Sequence, residues 1–116
     1  MSADTKIKPQ IKFEDFSKVD MRIGTIISAE DIEGSEKLIK LLVDFGDLGK
    51  RQILSGIKEW FKPKILVGKQ AAFVVNIEPR KIMGFDSEGM ILAVEYEGKI
   101  TLIVPKKKIK NGLFIS

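Results

Sequence analysis

From residue 19 onwards apolar and polar positions alternate in short stretches, the period of half-buried strands, with turn residues between them. The first such stretch, 19–27, alternates from Val19 to Ile23. Gly24 then breaks the pattern, and Ile26 and Ile27 stand side by side. A glycine inside a strand followed by a change of phase predicts a bulge or a sharp coil, which a small barrel needs in order to close. Residues 38–45 alternate again, with Ile39, Leu41, Val43 and Phe45 on one face; Gly46-Asp47-Leu48-Gly49 makes the turn into a third strand at 51–56. Ile57-Lys58-Glu59-Trp60-Phe61-Lys62 carries good helix formers for barely two turns. Pro63 lacks a backbone N–H, so it either ends that helix or opens a second turn at its first position. Trp60 and Phe61 are adjacent, and at least one of them is expected on the sheet. A fourth strand is expected over 70–77. Residues 90–96, the turn Glu97-Gly98-Lys99 and 100–104 then read as a hairpin stopped by Pro105.

Five or six short strands with one helix between the third and fourth predict an all-β fold, a five-stranded Greek-key barrel of the oligonucleotide-binding (OB) type. A plain sandwich does not require that helix, and a doubly wound parallel sheet would need alternating long helices. At 116 residues the chain makes one core and not two. Residues 1–12 read as a flexible polar tail, with Ile7 and Ile11 able to tack it onto the barrel or a partner subunit; the domain runs from 13 to 116. The last segment, Leu113-Phe114-Ile115-Ser116, follows the basic run Lys106-Lys107-Lys108-Ile109-Lys110 and is too apolar for a tail in water. It is expected to dock on the barrel or on a second subunit.

Between the apolar runs 71–75 and 90–94 lies a long connection rather than a tight turn. Long connections inside compact sheets are more often functional than incidental. This one carries Arg80 and Lys81, able to pair with phosphates, and Phe85, which reads as exposed at its tip. Asn76 and Ser87 have donors and acceptors suited to base edges or 2′-hydroxyls, and Met90 can lie flat against a base or sugar. The same residues also have a structural reading, with Asn76 a turn cap, Ser87 a local backbone partner and Met90 core. Their types alone leave both open.

Charge and composition narrow the chemistry. The net charge is +4, but residues 50–81 hold eight basic side chains against Glu59 and Glu78. Residues 1–49 hold seven basic and ten acidic, and 82–116 hold five and four. A solvated lysine surface accounts for the cationic middle on charge alone; a phosphate-tracking patch is the sharper alternative. The chain has no cysteine and no histidine, which removes the thiolate nucleophile, the Cys-based zinc site and the commonest general base. Glu30, Asp31, Glu33 and Glu36 lack the spacing of a calcium loop and read as a solvated acidic loop, so no metal and no cofactor is expected. Neither glycine-rich phosphate cradle occurs, and Ser55-Gly56 is too short for a nucleophile elbow with no base to activate it. A bilayer-spanning apolar run and a signal-peptide core are both lacking, so a cytoplasmic protein without membrane contact is expected.

The run Asp15-Phe16-x-Lys18-Val19-Asp20-Met21-Arg22-Ile23-Gly24 resembles the opening of the tRNA-binding OB domain found at the C-terminus of many methionyl-tRNA synthetases. Gln52-Ile53-Leu54-Ser55-Gly56-Ile57, Lys62-Pro63, Val67-Gly68-Lys69 and Asn76-x-x-Pro79-Arg80-Lys81-x-x-Gly84-x-x-Ser87-x-Gly89-Met90 match in order and spacing across 13–116. The resemblance implies a barrel that binds tRNA by shape without reading one anticodon, usually as a homodimer. It carries over Asn76, Arg80, Lys81, Ser87 and Met90 as RNA contacts, with Ser55 nearby. Free-standing members resemble either an archaeal synthetase beta subunit, which supplies tRNA affinity to a separate catalytic subunit, or a CsaA-type export chaperone that binds unfolded polypeptide. Ser55-Gly56-Ile57 and Ser87-Glu88-Gly89-Met90 look like the synthetase branch. Nothing resembles a catalytic domain, so the implied role is that of an accessory, non-enzymatic module.

Overall fold

A computed structural model describes residues 6–116. The expected tail therefore lies partly outside the described residues, at 1–5. Within 6–12 the chain has no regular structure, and Ile7 and Ile11 are exposed rather than tacked onto the barrel. A single helical turn, α1 (Phe13–Phe16), leads into the strands β1 (Met21–Asp31), β2 (Ile39–Asp44) and β3 (Lys50–Ser55). A second turn, α2 (Pro63–Leu66), precedes β4 (Gln70–Val74). Three short strands follow: β5 (Arg80–Ile82), β6 (Phe85–Ser87) and β7 (Met90–Ile91). The hairpin β8 (Ala93–Tyr96) and β9 (Lys99–Leu102) completes the set.

The central sheet has the order β3-β2-β1-β4-β7, with every neighbouring pair antiparallel. It curls until β3 meets the segment joining β6 and β7. There the Glu88 N–H donates to the Gln52 carbonyl (2.8 Å) and the Leu54 N–H donates to Ser87 Oγ (3.0 Å). The result is the nearly closed five-stranded OB barrel expected, with its helical turn between β3 and β4. That turn sits later than one of the two options for Pro63: residues 57–62 form no helix, and Pro63 occupies the first position of α2, where its missing N–H costs nothing. Phe61 packs against the core, while Trp60 donates its indole N–H to the Gly98 carbonyl (2.8 Å) and so ties the β8–β9 turn to the barrel.

The core is the inward face of the alternating strands, with Ile26, Ile39, Leu41, Val43, Ile53 and Phe73 wholly buried. Phe45 and Phe73 meet edge to face at 5.3 Å, a favoured aromatic geometry. The phase change in β1 is a bulge: the register with β2 slips between Ile26 and Ser28, leaving Ile27 exposed. Gly24 is not the bulged residue. A Cβ there would fall 2.6 Å from Val43 Cγ1 and 2.7 Å from Phe45 Cε1, so glycine is what lets β2 side chains cross above β1.

Two expected elements divide. The long connection 76–90 contains a hairpin of its own, and the expected strand 90–96 breaks at Leu92 into β7, which pairs with β4, and β8, which pairs with β9. The C-terminus docks on the barrel through its backbone. β2 leaves β1 at Thr25, and residues 112–115 fill the vacated edge: the Gly112 N–H donates to the Ile23 carbonyl, Ile23 to Leu113, and Ile115 to Met21. No described helix is long and apolar enough to cross a membrane.

Candidate nucleic-acid interface

The connection after β4 rises as the two-stranded hairpin β5–β6, with Arg80 opposite Ser87, Lys81 opposite Asp86 and Ile82 opposite Phe85. Its turn is Met83-Gly84, both at positive φ (49° and 84°). Two such residues form the tight turn whose twist suits an antiparallel pair, and glycine takes the second place without strain. The tip is therefore Met83-Gly84, not Phe85. Phe85 lies half-buried on β6, and the Lys40 ammonium sits 4.4 Å from its ring centre, a cation–π distance. This contact ties the hairpin to β2.

Strand β3 fixes the hairpin's base. The Gln52 side-chain amide donates to the Asp86 carbonyl (2.9 Å), and Glu88 Oε1 accepts the Gln52 N–H (3.0 Å). Arg51 donates to the carbonyls of Val75 and Glu88, so one guanidinium holds both ends of the connection. Arg51 and Gln52 are positioning groups that sequence reading passed over. The signal available was only their place on the strand facing the connection.

The six predicted contact residues fall into two sets. Arg80 and Lys81 are exposed on β5; Lys81 pairs with Asp86 (3.4 Å), and Arg80 has no ion pair with any described carboxylate. Met90 is 44% exposed at the start of β7, and it lines a small cleft of about 90 Å³ together with Arg80, Ile82, Leu54 and Ser87. Ser55 ends β3, half-buried, opposite Ile39. Asn76 and Ser87 are engaged within the fold. Asn76 Oδ1 accepts the Asp20 N–H (2.7 Å) and its Nδ2 donates to the Lys18 carbonyl (2.5 Å), pinning the entry of β1 to the exit of β4. Ser87 is 6% exposed; besides accepting from Leu54, it donates to the Gly89 carbonyl (3.2 Å). The hydroxyl satisfies a buried backbone donor that would otherwise cost about 1–3 kcal/mol.

Glu30 and Asp31, expected in an acidic loop, instead end β1, where Glu30 pairs with Lys40 (3.4 Å) and Asp31 with Lys58 (3.9 Å). Among the described residues no cluster of three or more His, Cys, Asp or Glu is placed to hold a metal ion. Elsewhere, Asp20 grips Arg22 through two hydrogen bonds (2.6 and 3.1 Å), which raises the guanidinium pKa further above its ordinary value. The Arg22 guanidinium also lies 5.5 Å from the ring centre of Phe114.

A nearly closed OB barrel thus carries Arg80 and Lys81 on a hairpin beside a cleft lined by the exposed Met90. The chain belongs to the tRNA-binding domain family: the family model described as "Putative tRNA binding domain" matches residues 21–113. The methionine–tRNA ligase of Methanothrix thermoacetophila is 47% identical over 107 residues, covering 92% of this chain and 16% of the ligase. That of Methanocaldococcus jannaschii is 50% identical over 104 residues, covering 89% of this chain and again 16% of the ligase. The chain thus spans about a sixth of the length of these relatives. Among solved structures, a MetRS-related protein from Pyrococcus horikoshii superposes with a TM-score of 0.87 at 37% identity, covering 94% of this chain and 100% of that one. The chaperone CsaA of Bacillus anthracis superposes with a TM-score of 0.84 at 38% identity, covering 93% and 100%.

Proposed function

We propose that this chain binds tRNA by backbone shape, without reading a particular anticodon, and supplies that affinity to a methionyl-tRNA synthetase catalytic subunit as a separate, non-enzymatic beta-subunit-like module in the cytoplasm. The observation that carries this reading is the β5–β6 hairpin. There Arg80, with no described carboxylate as partner, and a weakly paired Lys81 stand beside the Met90 cleft on a base held rigid by Arg51, Gln52 and Lys40. Phosphate pairing by Arg80 and Lys81 supplies attraction, Met90 gives an apolar surface for a base or sugar, and Ser55 contributes a hydroxyl at the adjoining strand end. Asn76 and Ser87 serve the same site by holding the backbone from which the hairpin springs.

The module acts as a homodimer in this reading. Phe13 (81% exposed) and Phe114 (68% exposed) stand with Phe16, Val19 and Leu113 as large apolar side chains left open. Val19 and Phe114 line one open cleft with Met21 and Ile115. A second copy would cover them.

Filter binding of tRNA as a function of salt tests the proposal. Counterion release predicts affinity that falls steeply and linearly on a double-logarithmic plot. Alanine at both Arg80 and Lys81 is expected to weaken every tRNA by a similar factor. A flat salt response, or a double variant that binds as wild type, contradicts it. The superposition on CsaA supports one rival, a chaperone for unfolded polypeptide; peptide binding that survives high salt in a protein that ignores tRNA would establish that rival instead.

A further inference from the structure

A second cationic site lies at the other end of β4. Lys69, Lys106, Lys107 and Lys108 line one open pocket of about 320 Å³, together with Gly68, Gln70, Val104 and Pro105. None of the four lysines has an ion pair with a described carboxylate, whereas Lys18, Lys40, Lys58, Lys81 and Lys110 each have one. The lysine run is not a loose tail. Pro105 stiffens its start, and Gln70 grips its far end: Gln70 Nε2 donates to the Ile109 carbonyl (2.6 Å) and Gln70 Oε1 accepts the Ile109 N–H (3.0 Å). Four cations held close together without counter-charges repel one another, a cost that a polyanion relieves.

Position decides which polyanion. β4 rises ~3.3 Å per residue, so the lysine pole and the Asn76 pole stand roughly 20 Å apart. The edge of β4 between them is already paired, and the strip that covers it is continuous: β7 pairs with Phe73 and Val74, Leu92 donates to the Ala72 carbonyl, and Ala72 donates to the Ile103 carbonyl. Met90, Ile103 and Val104 are exposed along or just beyond it. A path with cations at both ends and apolar side chains between them fits a nucleic-acid strand, whose charge repeats regularly and whose bases and sugars present apolar faces. An acidic peptide would use the cations but not that spacing.

We propose that Lys69, Lys106, Lys107 and Lys108 form a second phosphate-binding site for the same RNA, whose backbone follows the strip covering the edge of β4, past Met90, Ile103 and Val104, from the β5–β6 hairpin to the lysine pocket. This rests on the tRNA-binding reading and extends it to residues outside the hairpin. The test compares the salt dependence of tRNA binding for wild type, K106Q/K107Q/K108Q, the charge-matched control K12Q/K50Q/K99Q (none of which lines the pocket) and R80A/K81A. With three phosphate-pairing charges neutralised, the slope of log K against log salt should shrink by about 2, and affinity at about 50 mM salt should fall at least tenfold. The control should shift far less, and K69Q should lower the slope by about a further 0.7. A pocket variant indistinguishable from the control overturns the second site while leaving the hairpin reading intact. If instead R80A/K81A binds as wild type and the pocket variant does not, the hairpin reading falls and the lysine site stands. Absence of tRNA binding by wild type removes both.

Discussion

Asn76 and Ser87 show how polar residues flanking a loop can be spent on the fold, Ser87 buried and Asn76 while still exposed. The Asn76 amide donates to a backbone carbonyl 58 positions away, and the Ser87 hydroxyl accepts from a backbone N–H 33 positions away, distances over which residue type carries no information. Sequence reading could therefore name both residues as important, and could name the structural alternative, but could not choose between them. Arg80 and Lys81 were legible for the opposite reason: a long charged side chain next to a proline in a connection has few inward partners. S87A should lower stability by about 1–3 kcal/mol, because the buried Leu54 N–H loses its acceptor. Measured on the folded fraction, its tRNA affinity should change little; a large loss of affinity at unchanged melting temperature would assign the hydroxyl to RNA. G24A tests the crossing of β1 and β2. The added Cβ meets Val43 and Phe45 inside the usual contact distance, so a loss of about 1–3 kcal/mol is expected in denaturant melts.

The elements that sequence patterning missed are the shortest. β5 and β6 have three residues each and β7 has two, too few for a period of two to show. The turn Met83-Gly84 lacks the Asn-Gly or Asp-Gly pair that usually marks such a hairpin. The six-residue strands β2 and β3 were legible because each is long enough for the alternation to repeat. In the proposed reading the hairpin presents a braced surface, since Lys40, Arg51 and Gln52 hold it from two different strands. Within it, the Lys81–Asp86 pair is exposed on both sides and contributes little to stability. D86N should therefore leave the melting temperature within a degree or two while freeing Lys81 and removing a repulsive charge. We expect tRNA affinity to rise about two- to five-fold at low salt, an effect of the size of a surface charge pair. A fall in affinity would mean that Asp86 holds Lys81 in its binding pose.

For the molecule as a whole, the barrel followed from alternation and the placement of one short helical turn, and the docking of the C-terminus from its apolar residues, but the manner of that docking did not. Its apolar side chains announced docking, yet the bonds that dock it are backbone pairs along β1, and Leu113 and Phe114 still face outward. F114E leaves those backbone bonds in place and puts a charge on the open apolar surface. In the homodimer reading, sedimentation should show a dimer for wild type and monomers for F114E; a variant that remains dimeric places the contact elsewhere. The central claim is that tRNA lies against the hairpin and the strip that covers the edge of β4. Amide-resolved NMR on the protein with and without tRNA tests it most directly. The account predicts perturbations concentrated in residues 78–90 and 104–108, fading as salt is raised. Perturbations confined to residues 13–20 and 112–116, with the hairpin and lysine run unmoved, would contradict it.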